Sequence, residues 1–176
     1  LGGLDDPTQG AVIIDGVNIT AMPAGQRIGY RLHHIGFVFQ AYNLIPVLTA
    51  LENVIFILEL QGRPKSERER RGHDLLRAVG LAERAHNRPG ELSGGQQQRV
   101  AVARALAAKP KFILADEPTA NLDSRTAASL LDLMAQLNRD EGITFLFSTH
   151  DPHVMEKARR IITIQDGRVE KDEARS

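Results

Sequence analysis

Two adjacent carboxylates in the second half of the chain are the residues best suited to chemistry. The apolar run Phe112–Ala115 has the length of a buried strand and leads directly into Asp116 and Glu117. At the end of such a strand one carboxylate can hold Mg²⁺ through water, and its neighbour can polarise an attacking water as a general base. The two acids could instead cap a helix after Pro118, and alone they are a weak indication of catalysis.

A predicted anion site lies upstream, where Ser93 is followed by Gly94, Gly95 and Gln96. Ser93 and Gln96 match a capping box, so we expect a helix over about residues 93–108. Unpaired amides and partial positive charge at a helix N-terminus attract phosphate, and glycines let it come close to the backbone. An ordinary helix cap after a flexible turn fits these residues equally well.

Two further polar residues follow strand-like runs. Gln40 follows the run 35–39, and His150 follows the run 143–148. Since parallel strands present ligand groups at their carboxyl ends, we expect His150 and Asp116 to face one crevice. Considered singly, a glutamine or a histidine after a strand is more often structural than catalytic.

The elements that must position these side chains indicate an α/β fold. Strand-like apolar runs alternate with helix-forming runs, which is typical of a mostly parallel sheet covered by helices on both faces. Turns at Asp15-Gly16 and Asp166-Gly167 predict a small antiparallel β part. Residues 41–91 are predicted to form a helical insertion, in which Ser66 and Glu69 match a capping box. The predicted strands are 11–14, 17–19, 35–39, 112–116, 143–148, 161–164 and 168–170, and the predicted helices are 49–60, 66–79, 94–108, 125–140 and 152–157.

Composition narrows the possible functions. The chain has 176 residues, 22 basic and 22 acidic residues, and no cysteine. The length suits one domain, the balanced charge gives no sign of a nucleic-acid partner, and disulfides and cysteine nucleophiles are excluded. The charged run Lys65–Arg71 is best explained as a solvated helix face. Apolar runs such as Val54–Leu58 are far shorter than the roughly 18 residues of a membrane-spanning helix.

The order of these motifs resembles one family. Leu92-Ser93-Gly94-Gly95-Gln96, followed by the run that ends in Asp116 and Glu117, is similar to the signature and Walker B elements of the ABC-type ATPases. The resemblance extends over essentially the whole chain. It implies a P-loop NTPase-type fold, a single partial ABC ATPase domain over residues 1–176, and ATP and Mg²⁺ as ligands.

The resemblance also implies roles for individual residues. Asp116 would be the magnesium-side residue and Glu117 the catalytic carboxylate. Gln40 would be the Q-loop glutamine, which touches magnesium and the attacking water. His150 would be the switch histidine, which hydrogen-bonds the γ-phosphate and orients Glu117.

A dimer follows from the resemblance as well. Ser93, Gly94, Gly95 and Gln96 would bind the γ-phosphate of an ATP held by the other cassette. Asp123, which we also expect to be the N-cap of the next helix, would lie in the D-loop that crosses the interface. The implied assembly is a head-to-tail pair of cassettes with two ATP molecules between them.

Two segments resemble the lipoprotein-releasing and macrolide-export group, although amino-acid import cassettes share much of them: residues 37–46 and 148–152. This implies a peripheral protein on the cytoplasmic face of the inner (plasma) membrane. Residues 42–59 would offer a groove to a membrane permease, or their apolar side chains would serve only the internal packing of the domain. A cassette ATPase of DNA repair would need long heptad repeats between Gln40 and Leu92, which are absent. A non-catalytic cassette remnant is the other alternative, and the presence of both proposed catalytic residues disfavours it.

One expected motif is missing from the sequence. No glycine stands in the phosphate-loop pattern G-x-x-x-x-G-K-[ST]. Residues 1–10 resemble the segment that follows this loop and its helix in the family. We therefore expect the sequence to be part of a longer cassette, to bind ATP poorly alone, and to leave some core surface exposed.

Overall fold

The structure is a computed structural model that describes residues 2–175. The strands are β1 (Ile13–Ile14), β2 (Val17–Asn18), β3 (Ile35–Val38), β4 (Phe112–Asp116), β5 (Thr144–Ser148), β6 (Arg160–Gln165) and β7 (Arg168–Ala174). The α-helices are α1 (Ala24–His34), α2 (Ala50–Leu60), α3 (Lys65–Ala78), α4 (Gly94–Ala107), α5 (Ser124–Glu141) and α6 (Pro152–Lys157), and short 3-10 helices occur at Ala82–Arg84 and Pro89–Glu91.

The central sheet consists of three parallel strands in the order β3-β4-β5. Val38 of β3 lies opposite Ala115 of β4, and Asp116 lies opposite Ser148 at the end of β5. Because the strands are parallel and in register, the segments that follow them emerge side by side at one edge. The predicted parallel sheet is confirmed, and it brings the three segments that carry the candidate residues together.

One face of this sheet forms the core against α4 and α5. A Cβ at Gly36 would lie 2.7 Å from the carbonyl oxygen of Ala105, so β3 and α4 are in backbone-close contact. Ile113 and Ala115 of β4 point to this face and are 0% and 2% exposed. Small residues along α4 therefore set the position of the helix that begins at the glycine-rich turn.

The opposite face is covered less completely. Phe37 and Leu114 share this face and are half-buried, with Gly2 packed against both side chains. Leu146, opposite Leu114 in the register, is 39% exposed. The apolar runs predicted that helices would cover both faces of the sheet. Among the described residues, the helices that form the core pack on only one face.

The helical segment between β3 and α4 packs α2 and α3 together and both against α4. Thr49 begins α2 with a capping box in which its hydroxyl accepts from the backbone N–H of Glu52. The capping box predicted at Ser66 is wrong, because α3 begins one residue earlier, after Pro64, with no side-chain cap. The proline ring holds φ at −56° and starts the helix without a polar cap.

Two elements differ from the sequence-based expectation. Helix α1 was not predicted, since it buries none of its residues and contains Gly25 and Gly29, which are poor helix formers. Strand β7 extends to Ala174, well past the predicted residue 170. It pairs with β6 in an antiparallel hairpin in which Asp172 holds Arg160. No described helix is both long enough and apolar enough to cross a bilayer.

Candidate functional site

Glu117 directly follows β4 and has an unusual backbone conformation. Its φ is +43°, in the left-handed region that non-glycine residues seldom adopt. Its N–H donates to the carbonyl oxygen of Ser148 over 2.9 Å, which ties the end of β4 to the end of β5. Such a conformation costs on the order of 1–3 kcal/mol and persists only where the surroundings hold it. The strained turn therefore aims the Glu117 side chain along the edge of the sheet.

The carboxylate of Glu117 is held at both oxygens by the segment after β5. Oε2 accepts from the Thr149 hydroxyl over 3.0 Å, and Oε1 accepts from the backbone N–H of His150 over 3.2 Å. Nδ1 of His150 lies 2.6 Å from Oε1 and donates there when protonated. Burial raises the pKa of Glu117, but the hydrogen bonds from His150 and Thr149 outweigh it and hold the pKa below its usual range. The group is therefore an oriented carboxylate at neutral pH.

His150 projects from this contact into solvent. Its side chain is 88% exposed, whereas that of Glu117 is 22% exposed. An open cleft of about 360 Å³ lies beside the pair. Its lining residues are Glu117, Thr119, Ala120, Leu122, His150, Asp151 and Pro152. The imidazole is thus free to meet a ligand that enters this cleft.

Asp116 and Gln40 lie at the same edge of the sheet. Asp116 is the exposed last residue of β4, and Gln40 is exposed just beyond β3. The backbone oxygen of Gln40 accepts from the Asn121 side chain over 3.0 Å, which ties its loop to the turn after Glu117. Carboxylate and carboxamide oxygens suit Mg²⁺. Residues 2–175 contain no cluster of three or more His, Asp or Glu side chains that could hold a metal unaided, so an ion here would need water and phosphate oxygens to complete its shell.

The predicted capping box at the glycine-rich turn is confirmed. The Ser93 hydroxyl accepts from the N–H of Gln96 over 3.3 Å, and Oε1 of Gln96 accepts from the N–H of Ser93 over 2.9 Å. Ser93 is exposed, and Gly94 and Gly95 are half-exposed. Amides in the first turn have no acceptor inside a helix, so those of the two glycines are available to an anion.

Packing gives the two glycines a second reason to lack side chains. A Cβ at Gly95 would overlap the Cγ2 methyl of Thr126, and one at Gly94 would lie 2.8 Å from the Tyr42 hydroxyl oxygen. Without side chains at these positions, α4 can begin in direct contact with the start of α5. The two glycines thus permit these close contacts, in addition to leaving the backbone N–H groups of the turn uncovered by side chains.

Asp123 caps α5, as predicted. Its Oδ1 accepts from the backbone N–H groups of Arg125 and Thr126 over 3.1 and 3.0 Å, and its Oδ2 accepts from the Thr126 hydroxyl over 2.6 Å. The side-chain hydrogen bond from Thr126, followed by those from the backbone, holds the pKa of Asp123 below its usual range. Much of its accepting capacity is therefore used by its own helix.

The candidate residues fall into two clusters. Gln40, Asp116, Glu117 and His150 share the edge of the sheet, while Asp123 and the Ser93–Gln96 turn lie where α5 and α4 begin. Among residues 2–175 no hydrogen bond joins the side chains of the two clusters. Within one chain, the pair formed by Glu117 and His150 is therefore separate from the glycine-rich turn at Ser93–Gln96.

Two buried or half-buried residues at the site were missed from the sequence. Gln98, on α4, is fully buried, and its Nε2 donates to the carbonyl oxygen of Pro118 over 2.8 Å. Thr149 precedes His150 and contacts the Glu117 carboxylate. Gln98 stands in the polar run Gln96–Arg99, so nothing local distinguishes it from its neighbours, and nothing local distinguishes Thr149 either.

A parallel sheet with an oriented carboxylate and a histidine at its carboxyl edge, together with a glycine-rich helix start, is the architecture of a P-loop NTPase-type ATP-binding cassette. Residues 1–120 match the protein-family model for ABC transporters. This chain belongs to the ABC transporter family and is an ATP-binding domain of it.

Several relatives match nearly the whole chain. An uncharacterized ABC transporter ATP-binding protein of Thermotoga maritima is 50% identical over 175 residues, which cover 99% of this chain and 74% of that protein. The ABC transporter ATP-binding protein YtrE of Bacillus subtilis is 46% identical over 95% of this chain and 72% of its own length. The macrolide export ATP-binding/permease protein MacB of Syntrophobacter fumaroxidans is 48% identical over 97% of this chain and 24% of its own length.

Solved structures confirm the fold. The cassette MJ0796, in a dimeric post-hydrolysis state bound to ADP and Pi, superposes with a TM-score of 0.87 at 44% identity. The match covers 98% of this chain and 76% of that one. A second dimeric structure of MJ0796 gives a TM-score of 0.86 at the same identity.

Proposed function

We propose that Glu117 and His150 are the catalytic residues with which this ATP-binding subunit hydrolyses ATP. The observation that supports this most directly is the Glu117 carboxylate, fixed by Thr149 and His150 beside an open cleft. Phosphoryl transfer requires mainly positioning and charge stabilisation from the protein. Glu117, held as an anion, polarises the attacking water, and the exposed His150 orients Glu117 and meets the γ-phosphate.

Magnesium would be held by Asp116 and Gln40. Their carboxylate and amide oxygens are hard ligands at one edge of the sheet, and the tie between Gln40 and Asn121 keeps the two loops together. When bound, the ion neutralises charge on the phosphates. Asp116 and Gln40 would also position the nucleotide beside Glu117.

Two cassettes would assemble head to tail. In this arrangement Ser93, Gly94, Gly95 and Gln96 bind the γ-phosphate of the ATP held by the partner, and Asp123 lies at the interface. The separation of the two clusters within one chain supports this arrangement, because neither is a complete nucleotide site. The two solved structures of the similar cassette MJ0796 are dimeric, one of them with ADP and Pi bound.

A membrane permease is the second proposed partner. We assign residues 41–91 as a helical subdomain of a single ATPase domain, and Phe56 and Leu60 of α2 offer apolar surface there, with 37% and 56% exposure. MacB, a relative, is named as a combined ATP-binding and permease protein. The chain would therefore act as a peripheral subunit on the cytoplasmic face of the inner membrane, coupling ATP hydrolysis to transport, with no nucleic-acid partner.

Equilibrium binding and hydrolysis of Mg-ATP test the proposal. We expect the 176-residue chain carrying Glu117→Gln to bind Mg-ATP only weakly, since the sequence has no G-x-x-x-x-G-K-[ST] loop to cradle the phosphates. Micromolar binding would contradict this expectation. A form of the chain extended upstream by a phosphate-loop segment should hydrolyse ATP, and Glu117→Gln should abolish turnover while binding remains. Equal turnover in the extended parent and variant would refute the assignment of Glu117.

A further inference from the structure

The turn after β4 and the turn after β5 are joined by two reciprocal side-chain hydrogen bonds. The Thr149 hydroxyl donates to Glu117 Oε2 over 3.0 Å, and the Thr119 hydroxyl donates to Asp151 Oδ2 over 3.1 Å. Each turn thus presents one threonine and one carboxylate, in opposite order along the chain. We call these four residues the loop clasp.

The hydrogen-bond pattern determines where each hydroxyl proton points. Thr149 Oγ1 also accepts from the N–H of Asp151 over 3.1 Å, so its own proton is directed at Glu117. Asp151 uses its other oxygen, Oδ1, to accept from the N–H of His153 at the start of α6, over 2.9 Å. Both ends of the clasp are therefore anchored in the backbone.

Burial distinguishes the clasp from the contact with His150. Thr119 is only 4% exposed and Thr149 is half-buried, whereas the His150 side chain is 88% exposed. A solvent-exposed imidazole is free to turn toward a ligand. The Thr149 hydroxyl, fixed by the N–H of Asp151, remains on the carboxylate when that happens.

We propose that Thr149 is a positioning residue for Glu117, and that the pairing of Thr119 with Asp151 holds Thr149 in place. This inference rests on the proposed catalytic role of Glu117 and deepens it. Thr149 restrains one carboxylate oxygen, so that the other is presented to His150 and to the attacking water. Thr119 ties the strained turn at Glu117 to the loop that carries both Thr149 and His150.

Amide hydrogen exchange of the nucleotide-free 176-residue chain at fixed pH tests the clasp. In Thr149→Val the N–H of Asp151 loses its acceptor directly. The N–H of His150 is bonded to Glu117, so its exchange accelerates only if loss of Thr149 displaces the carboxylate. We expect both amides to exchange about tenfold faster, the change expected from losing one hydrogen bond. Thr149→Ser, which keeps the hydroxyl, should restore both rates.

Thr20→Val is the matched control, because the Thr20 hydroxyl accepts a backbone N–H far from the site. It should leave the amides of His150 and Asp151 unchanged. Thr119→Val should accelerate both amides, by releasing Asp151. If Thr149→Val does not fold, Thr149→Ala removes the same hydroxyl without adding a methyl group.

Unchanged exchange at His150 in a folded Thr149→Val or Thr149→Ala chain would overturn the proposal. In a form that hydrolyses ATP, Thr149→Val should lower kcat with little change in KM, and Thr149→Ser should recover it. The exchange measurement needs no nucleotide. A failure of the ATPase assignment, seen as full turnover in Glu117→Gln, is therefore distinguishable from a failure of the clasp.

Discussion

Gln98 lies fully buried in α4 and donates from Nε2 to the carbonyl oxygen of Pro118 over 2.8 Å. This hydrogen bond joins the helix that begins at the glycine-rich turn to the residue after Glu117. The other amide atom, Oε1, has no partner among the described residues. A buried polar group is retained at some energetic cost where it fixes a particular contact, and here the contact lies between the two clusters of candidate residues.

Replacing Gln98 should destabilise the fold and loosen this connection. In Gln98→Ala the buried carbonyl of Pro118 loses its donor and a cavity forms, so we expect a loss of about 2–4 kcal/mol. Urea unfolding measures the change. Gln97→Ala is the matched control, since Gln97 is half-buried and its Nε2 donates to Leu92 over 3.1 Å. Its cost should stay near 1 kcal/mol, and equal costs at the two positions would contradict the special role of Gln98.

The contact between Gly95 and Thr126 gives a second prediction. Alanine is normally better than glycine in a helix by about 1 kcal/mol, but at Gly95 its methyl would overlap Thr126 Cγ2. We expect Gly95→Ala to destabilise the chain by about 1–3 kcal/mol, through overpacking. Combining it with Thr126→Ser, which removes the opposing methyl group and keeps the hydroxyl bonded to Asp123, should recover most of the loss in thermal unfolding.

Gly29→Ala provides the control for that prediction. Gly29 lies inside α1, and a Cβ there would meet nothing within 4 Å. The substitution should therefore stabilise the chain by up to about 1 kcal/mol. If Gly95→Ala were equally stabilising, the close approach of α4 and α5 would be wrong.

The parts of the fold that the sequence predicts best are those with local causes. The capping serine at Ser93, the capping aspartate at Asp123 and the turn at Asp166-Gly167 all act within a few residues, and each is found in the structure. The apolar runs before Asp116 and His150 also predict parallel strands, because both are largely apolar along their length. Interactions between residues close in sequence therefore predict where the helices and strands that carry the site begin and end.

The parts that the sequence predicts poorly depend on long-range contacts. Helix α1 buries no residue of its own, so it lacks the apolar periodicity on which prediction rests. Gln98 and Thr149 act on Pro118 and Glu117, which are distant in the chain and close only after the sheet has formed. Their roles are tertiary, and one sequence without its structure contains no direct signal for them.

The hydrogen bonds to Asp123 predict a pH dependence. Because they lower the folded-state pKa of Asp123 below its unfolded value, the carboxylate stabilises the fold fully above about pH 4, the ordinary aspartate range. That contribution is lost as the pH falls through the lower, folded-state pKa. Asp123→Asn keeps an N-cap without a titrating group. Urea unfolding between pH 7 and pH 2 should show a smaller loss of stability for the variant, and identical profiles would contradict the prediction.

Asn53 gives the last prediction, on the segment that follows Gln40. It is fully buried in α2; its Oδ1 accepts from the N–H of Ile45 over 2.7 Å, and its Nδ2 donates to the carbonyl oxygens of Ile45, Leu48 and Thr49. Asn53→Ala leaves several buried backbone groups unpaired, so we expect a loss of about 3 kcal/mol or more in urea unfolding. The amide of Ile45 should also exchange faster with solvent. An alanine variant as stable as the parent would show that the segment is held by other contacts.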